Sequence, residues 1–352
     1  MSLFLLFVFF AAMRNSVAQF HLVAHRGASF YTPEETRQAY ELAASQGAKF
    51  IECDIVSTKD GVLILRHSPN LLESTNIKDF PEFSHLKKTL EMYCDTDSDS
   101  VDGIFSWDLT YEEIKRLGCT HDIRYNNRNQ ELCGVQSILS LDEFLEMSEN
   151  GFNGYKPGIY IEIKYPTIHE EMGINITDKL LDALEKYGLN KDADHVYIQS
   201  FEPENLKYIR ERSQVRLVQL LTRDEKNSFV YAVKDPISNK TIYSPCDLEY
   251  IAKFANIVSP TKHDLISPLN KESSSPPLGP GLLPNSSDFI SKSHKYSLIV
   301  VPYTFRPESV LPMFSTQEEE YEYFIFTLRS DGVFTDDPKG LVEYLAKRQG
   351  NK

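Results

Sequence analysis

Short apolar runs of strand length alternate along the chain with stretches whose apolar residues recur at helical spacing. Strand-like runs fall at 20–25, 50–56, 62–65, 159–163, 195–200, 215–220, 257–258, 298–303 and 332–335. The run at 62–65 follows the turn Lys59-Asp60-Gly61 and reads as the return arm of a hairpin. Helical spacing predicts helices over 33–45, 110–117, 141–147, 176–187, 203–212, 248–254, 317–328 and 341–347. The first has Thr32 in place as N-cap, Pro33 at the opening position and Glu35 three residues beyond the cap.

Setting the hairpin arm aside leaves eight strands, each followed by a helix or a helix-like stretch. Regular alternation of this kind implies a parallel sheet. Its length fits a (β/α)8 TIM barrel, an α/β class of about 200 to over 400 residues. The rival is an open doubly wound sheet. No Gly-x-Gly-x-x-Gly follows the first strand, so the dinucleotide-binding form of that rival lacks support. From 68 to about 134 no period is sustained, which predicts an insertion after the second strand. Residues 273–287, rich in Ser, Pro and Gly, read as a loop.

Composition adds the scale and excludes classes of partner. The chain has 352 residues, 41% hydrophobic and 25% charged, enough for two domains or one large one. Its net charge of −14 argues against nucleic acid as partner and against docking on anionic membrane, so any phosphate site must be local. The apolar run at 3–13 is too short to span a bilayer and fits a signal peptide over 1–18, although no positive charge precedes it. Ser16-Val17-Ala18 supplies small residues for cleavage before Gln19. This leaves 19–352 as the barrel domain, and no other run is long enough for a transmembrane segment. Glycosylation sequons begin at Asn175, Asn239 and Asn285. The expected route is secretory, to a secreted, extracellular, vacuolar or lysosomal destination. Cysteines at 53, 94, 119, 133 and 246 are odd in number. Cys53, inside a core strand, reads as a buried thiol, and a bridge among Cys94, Cys119 and Cys133 is expected.

Working residues of a barrel sit at the C-terminal ends of its strands. His25-Arg26-Gly27 ends the first strand, Glu52-Cys53-Asp54 lies on the second, His67 ends the run after it, and Glu162-Ile163-Lys164 ends the third. Alternate strand residues share a face, so Glu52 and Asp54 point one way and Cys53 the other. Facing inward, Glu52, Asp54 and Glu162 form three close carboxylates, which need protons or a cation. All-oxygen ligation suits one divalent cation, Mg²⁺ or Ca²⁺. His25 and His67 form a candidate acid–base pair, since imidazole titrates near neutrality. Arg26 is suited to bind a phosphate oxygen, with an ion pair to Glu34 or Asp336 as the alternative, and Lys164 adds a second positive charge. Gly27 would let the backbone turn close to a ligand. Tyr303 and Arg306, after the seventh strand, are substrate-binding candidates, and Asp336 is placed to orient a histidine or an arginine.

The ordered set His25-Arg26-Gly27-Ala28, Pro33-Glu34-Glu35-Thr36, Gly47-Ala48, Ile51-Glu52-Cys53-Asp54, Thr58-Lys59-Asp60-Gly61 and His67 resembles the glycerophosphodiester phosphodiesterases. Tyr160 to Lys164, Gln199-Ser200-Phe201, Val301 to Thr304 and Asp331 to Asp336 extend the resemblance to nearly the whole chain, closest to the longer secreted and periplasmic branch. Two positions depart from the usual pattern: Ser68 follows the second histidine in place of Asp, and Glu35 stands where Asn is usual. The resemblance implies a barrel with an insertion after strand two and a cation at Glu52, Asp54 and Glu162. It also implies His25 and His67 as general base and acid, and hydrolysis of small-molecule glycerophosphodiesters to glycerol 3-phosphate and an alcohol. Two other readings remain open at this level. One is a lysophospholipase D, using 269–283 as an apolar groove; the other is a non-catalytic binding protein on the same fold.

Overall fold

The computed structural model describes residues 20–94, 97–125, 127–223, 229–234, 241–266 and 288–350. Among these, eight parallel strands make the barrel: β1 (His21–Ala24), β2 (Phe50–Ser57), β3 (Gly158–Ile163), β4 (Val196–Ser200), β5 (Arg216–Arg223), β6 (Ile257–Pro260), β7 (Ile299–Val300) and β8 (Gly332–Thr335). Parallel ladders join β1 through β7 in sequence order. β8 pairs back onto β1, His21 opposite Gly332. Between β7 and β8 the ring is completed by Asp331 N donating to Val300 O at 2.9 Å and Phe334 N to Pro302 O at 3.0 Å.

The period of two along each strand sorts the side chains. Val23, Phe50, Tyr160, Tyr197, Val218, Ile257 and Phe334 face the axis and fill the barrel. Tyr160 stacks on Tyr197 at 4.5 Å, and His21 stacks on Phe50 at 4.7 Å. The residues between them, including Leu22, Ile51, Cys53, Ile161, Ile198 and Leu217, join the outer core. Both faces are therefore covered, as the continuous apolar character of these runs requires. Continuing the inward set by two along each chain leads from Phe50 to Glu52 and Asp54, from Tyr160 to Glu162 and Lys164, from Tyr197 to Gln199, and from Phe334 to Asp336. An apolar plug thus carries a polar layer on its C-terminal side.

The predicted insertion leaves the barrel after the hairpin arm Leu63–Leu65. It packs a satellite core of Leu71, Ile77, Phe83, Leu109, Ile114 and Leu117 against Val56 and Ile64. It also holds an antiparallel hairpin, Lys88–Cys94 with Asp97–Gly103, which the sequence did not signal because Asp and Ser are poor strand formers. A second unforeseen hairpin, Phe229–Lys234 with Thr241–Pro245, extends from the end of β5.

Other expectations are corrected. The first helix runs Arg37–Ser45, and its N-cap is Thr36 rather than Thr32. Glu35 takes a positive φ of 60° before it. Residues 33–36 stay out of the helix because Glu34 and Glu35 turn inward to other partners, described below. The helix at 248–254 is shorter, Leu248–Ile251, and that at 317–328 is α-helical over Gln317–Tyr321 before a π-helical turn, Glu322–Thr327. Cys53, Cys119, Cys133 and Cys246 are free thiols. The expected bridge therefore does not join Cys119 to Cys133; the Cys119 sulfur lies 3.4 Å from Arg66 Nη1, and Cys133 Sγ accepts from His121 N. The leader 1–18, the loop 273–287, the sequon residues Asn239 and Asn285 and the Cys94 side chain lie outside the described residues. Asn175 is exposed and caps the helix Ile176–Lys186. Among the described residues no helix is long and apolar enough to cross a membrane.

The buried histidines set a stability limit in acid. Burial holds His21 and His169 at a pKa of about 4, below the ordinary 6.5. Between those values the unfolded chain binds protons that the fold does not, so stability falls as pH drops from 6.5 to 4. The loss is on the order of 3 kcal/mol per group. Urea unfolding across this range is expected to show His21→Gln with a flatter pH dependence than the native chain. An equal slope in the two proteins would contradict this account.

Candidate active site

The turn after β1 is the first fixed point of the polar layer. His25 N donates to Thr335 O at 3.0 Å, which ties it to β8. Arg26 and Gly27 follow with φ of 56° and 79°. A Cβ on Gly27 would lie 2.6 Å from the Ala39 carbonyl carbon. The glycine thus serves close packing of the helix Arg37–Ser45 on this turn.

The left-handed turn at Arg26 aims its backbone N at Glu52 Oε2, 2.7 Å away. Gln199 Nε2 holds the other Glu52 oxygen at 2.9 Å. Asp54 faces Glu162 across the β2–β3 ladder, where the two are register partners. Oxygens of Glu52, Asp54 and Glu162 lie within 4.8 Å of one another, and all three residues are buried. Both Asp54 carboxylate oxygens lack a hydrogen bond, although Arg26 Nε lies 3.0 Å from Oδ2 as an ion pair. Lys164 Nζ pairs with Glu162 Oε1 at 2.7 Å.

Charge is distributed unevenly over these groups. Burial, with Asp54 and Glu35 adding to it, raises Glu52 well above the ordinary carboxylate range. Burial pushes Glu162 to about 8 against the pull of Lys164. Burial also pushes Asp54 upward, but Arg26 and Lys164 outweigh it and hold that carboxyl low. Underfilled, buried oxygens with raised proton affinity are what a hard divalent cation would relieve, so the donor set fits Mg²⁺ or Ca²⁺. Behind them lies a fourth carboxyl. Glu35 Oε1 accepts from Asp54 N at 2.9 Å and Oε2 from the Tyr40 hydroxyl. Burial and Asp54 raise the Glu35 carboxyl strongly.

His25 Nδ1 is 2.7 Å from Asp336 Oδ1. The carboxylate accepts, so Nδ1 carries the hydrogen and Nε2 keeps its lone pair. Burial and Arg26 bring this imidazole down to about 4, although Asp336 pulls the other way. Burial, then Arg26, Lys164 and Arg124, push His67 well below its ordinary value. Both rings are therefore neutral at pH 7 in the ligand-free site.

One cavity is lined by His25, Arg26, Glu52, His67, Glu162, Lys164, Tyr303 and Arg306. Every catalytic and substrate-binding candidate named from the sequence is brought together there with Glu52 and Glu162, and Asp54 is paired to Arg26 beside them. Arg26 also takes the anticipated ion pair with Glu34, Nη1 to Oε2 at 3.1 Å. Asp336 instead takes His25, Arg306 Nε at 3.0 Å and a third partner from the insertion, Arg128. Tyr303 donates its hydroxyl to Leu221 O at 2.9 Å, and its ring meets Phe201 edge-on. The lining residues that were missed include Gln199 on β4 and Phe201 just after it, Thr261 and His263 after β6, and Arg124 and Tyr125 from the insertion. Gln199 had a signal, a polar residue in step with Tyr197 on an apolar strand. Arg124 and Tyr125 had none, since the insertion has no period.

Sequence and structure comparisons bear on the family and the fold. The model of the glycerophosphoryl diester phosphodiesterase family matches residues 25–340. A glycerophosphodiester phosphodiesterase of Arabidopsis thaliana, GDPD6, is 32% identical over 343 residues, covering 92% of this chain and 85% of its own. A glycerophosphodiester phosphodiesterase of Haemophilus influenzae is 29% identical, covering 92% and 89%. In structure, an Oleispira antarctica phosphodiesterase solved with the product sn-glycerol-3-phosphate aligns with a TM-score of 0.57 at 16% identity, over 92% of this chain and 96% of that one. A Silicibacter pomeroyi candidate glycerophosphoryl diester phosphodiesterase aligns with a TM-score of 0.65 at 18% identity, over 96% of both chains.

Proposed function

The chain belongs to the glycerophosphoryl diester phosphodiesterase family, and on that premise we propose a specific chemistry for its site. It cleaves glycerophosphodiesters such as glycerophosphocholine and glycerophosphoethanolamine to sn-glycerol 3-phosphate and an alcohol. Acid–base chemistry falls to His25 and His67, beside a divalent cation. The observation that carries this reading is the convergence of both imidazoles, Glu52, Glu162, Arg26 and Lys164 on one cavity, with Asp54 in the same carboxylate cluster.

Glu52, Asp54 and Glu162 would hold the cation, which supplies Lewis-acid stabilisation of charge on the phosphoryl oxygens when bound. Arg26 and Lys164 orient the phosphodiester through its unesterified oxygens. His25 Nε2 takes the proton from the glycerol 2-hydroxyl, and the Asp336 carboxylate stabilises the imidazolium that results. The hydroxyl oxygen attacks phosphorus and the bond to the head-group alcohol breaks, while His67 protonates the departing oxygen. A bound phosphodiester brings negative charge beside the cations that otherwise disfavour protonated His67. The glycerol cyclic phosphate is then opened by water with the two roles reversed, which restores both protons.

The test is product analysis with glycerophosphocholine, glycerophosphoethanolamine and lysophosphatidylcholine offered separately to the purified protein. Glycerol 3-phosphate from the first two, with little turnover of the third, is the expected result. Preference for lysophosphatidylcholine would transfer the assignment to a lysophospholipase D.

A further inference from the structure

We propose that Arg128, carried by the insertion, is a positioning residue for His25 and acts through Asp336. The inference rests on the reading of His25 as an acid–base group. The insertion packs its own core against β2, yet Arg128 reaches past β1 to the loops after β7 and β8. Its Nη1 donates to Ser29 O at 2.9 Å, its Nε to Glu308 Oε1 at 2.7 Å, and its Nη2 to Asp336 Oδ2 at 2.5 Å. The side chains of Arg128 and Asp336 are each only 2% exposed. Tyr125, also from the insertion, lies against both guanidiniums, 4.1 Å from Arg128 and 5.2 Å from Arg306.

Asp336 is thereby shared three ways: Oδ1 faces His25, and Oδ2 takes both Arg128 and Arg306. Its backbone is fixed as well, N donating to Phe305 O at 3.0 Å and O accepting from Phe30 N at 3.1 Å. With Oδ2 anchored from two sides, Oδ1 has one orientation, and the imidazole bonded to it has one tautomer and one plane. Without Arg128, the carboxylate is free to turn both oxygens onto Arg306, the geometry guanidinium favours. His25 Nδ1 then loses its acceptor. The insertion, on this account, completes the acid–base machinery and does more than cover the barrel mouth.

A clamp that merely fastens the insertion predicts something different: a change in stability or KM, with an effect on kcat independent of Asp336. The experiment is a double-mutant cycle on kcat with glycerophosphocholine, using Arg128→Ala, Asp336→Asn and the double variant, with His25→Asn in parallel. Orienting partners typically matter by about 10–100-fold, so Arg128→Ala is expected to lower kcat by that factor with KM changed little. In the Asp336→Asn background the same replacement should cost less than about threefold, because groups acting as one unit are not additive. Added guanidinium should restore part of the Arg128→Ala loss and none of the loss in the double variant. If Arg128→Ala fails to fold, Arg128→Lys carries the same cycle, since a lysine cannot bridge Ser29, Glu308 and Asp336 together. Native kcat in a folded Arg128 variant, or a full and additive loss beside Asp336→Asn, overturns the proposal alone. Native kcat in His25→Asn overturns the underlying reading of His25 and the proposal with it.

Discussion

His67→Asn is expected to lower kcat on glycerophosphocholine by about 10²–10⁴-fold, the range for loss of a positioned acid or base. His25→Asn should lose as much on that substrate. The two separate when the leaving group changes. A choline alkoxide cannot depart without a proton, whereas p-nitrophenolate can. With glycerol p-nitrophenyl phosphate, His67→Asn should recover most of its turnover if His67 is the acid. His25→Asn should stay impaired on both substrates, because the 2-hydroxyl needs a base whatever leaves. The structure makes the two rings unequal in the required sense. His25 has a carboxylate at Nδ1 to support an imidazolium. Nδ1 of His67 is buried without a hydrogen-bond partner, and the nearby charges that act on it, Arg26, Lys164 and Arg124, are cations. Recovery of His25→Asn, and not His67→Asn, on the activated substrate would reverse the assignment. Native kcat in either folded variant would remove that residue from the chemistry.

The barrel was legible because its strands are short, apolar on both faces and separated by helix-spaced segments. Ionisable residues break that pattern where strands end, so Glu52, Asp54, Glu162, Lys164 and His25 announced themselves as members of one face. Cys53, between two of them, lies outward as the period of two requires. What failed to show was contact without period. Arg128 is separated from Asp336 by 208 residues and lies in a stretch where no alternation ties side chains to a face. The start of the first helix misled for a related reason. Thr32, Pro33 and Glu35 satisfy the local rules for a helix start, but Glu34 pairs with Arg26 and Glu35 bonds the backbone of Asp54. Tertiary partners for two carboxyls outweigh a cap worth about 1 kcal/mol, and Thr36 caps the helix instead.

Chelation is expected to abolish turnover, and Asp54→Asn or Glu162→Gln to reduce it by about 10²–10³-fold, since the Lewis acid stands for several kcal/mol of charge stabilisation. The proton balance of the site gives this prediction a readout independent of activity. Glu162, at about 8 before the cation enters, carries a proton at pH 7, and Glu52 is raised as well. A cation needs both as carboxylates, so binding must expel protons, and affinity must rise with pH through about 8, where Glu162 ionises. Calorimetry with Ca²⁺ or Mg²⁺ at pH 7, in two buffers of different ionisation enthalpy, should therefore give two different apparent heats. In Glu162→Gln the difference should shrink, because the amide has no proton to give up. Asp54 is held ionised by Arg26 and Lys164, so Asp54→Asn should weaken binding while leaving the proton release nearly intact. Turnover insensitive to chelator, or heats that ignore the buffer, would separate the three carboxylates from cation binding and leave their mutual repulsion to be offset by protons alone.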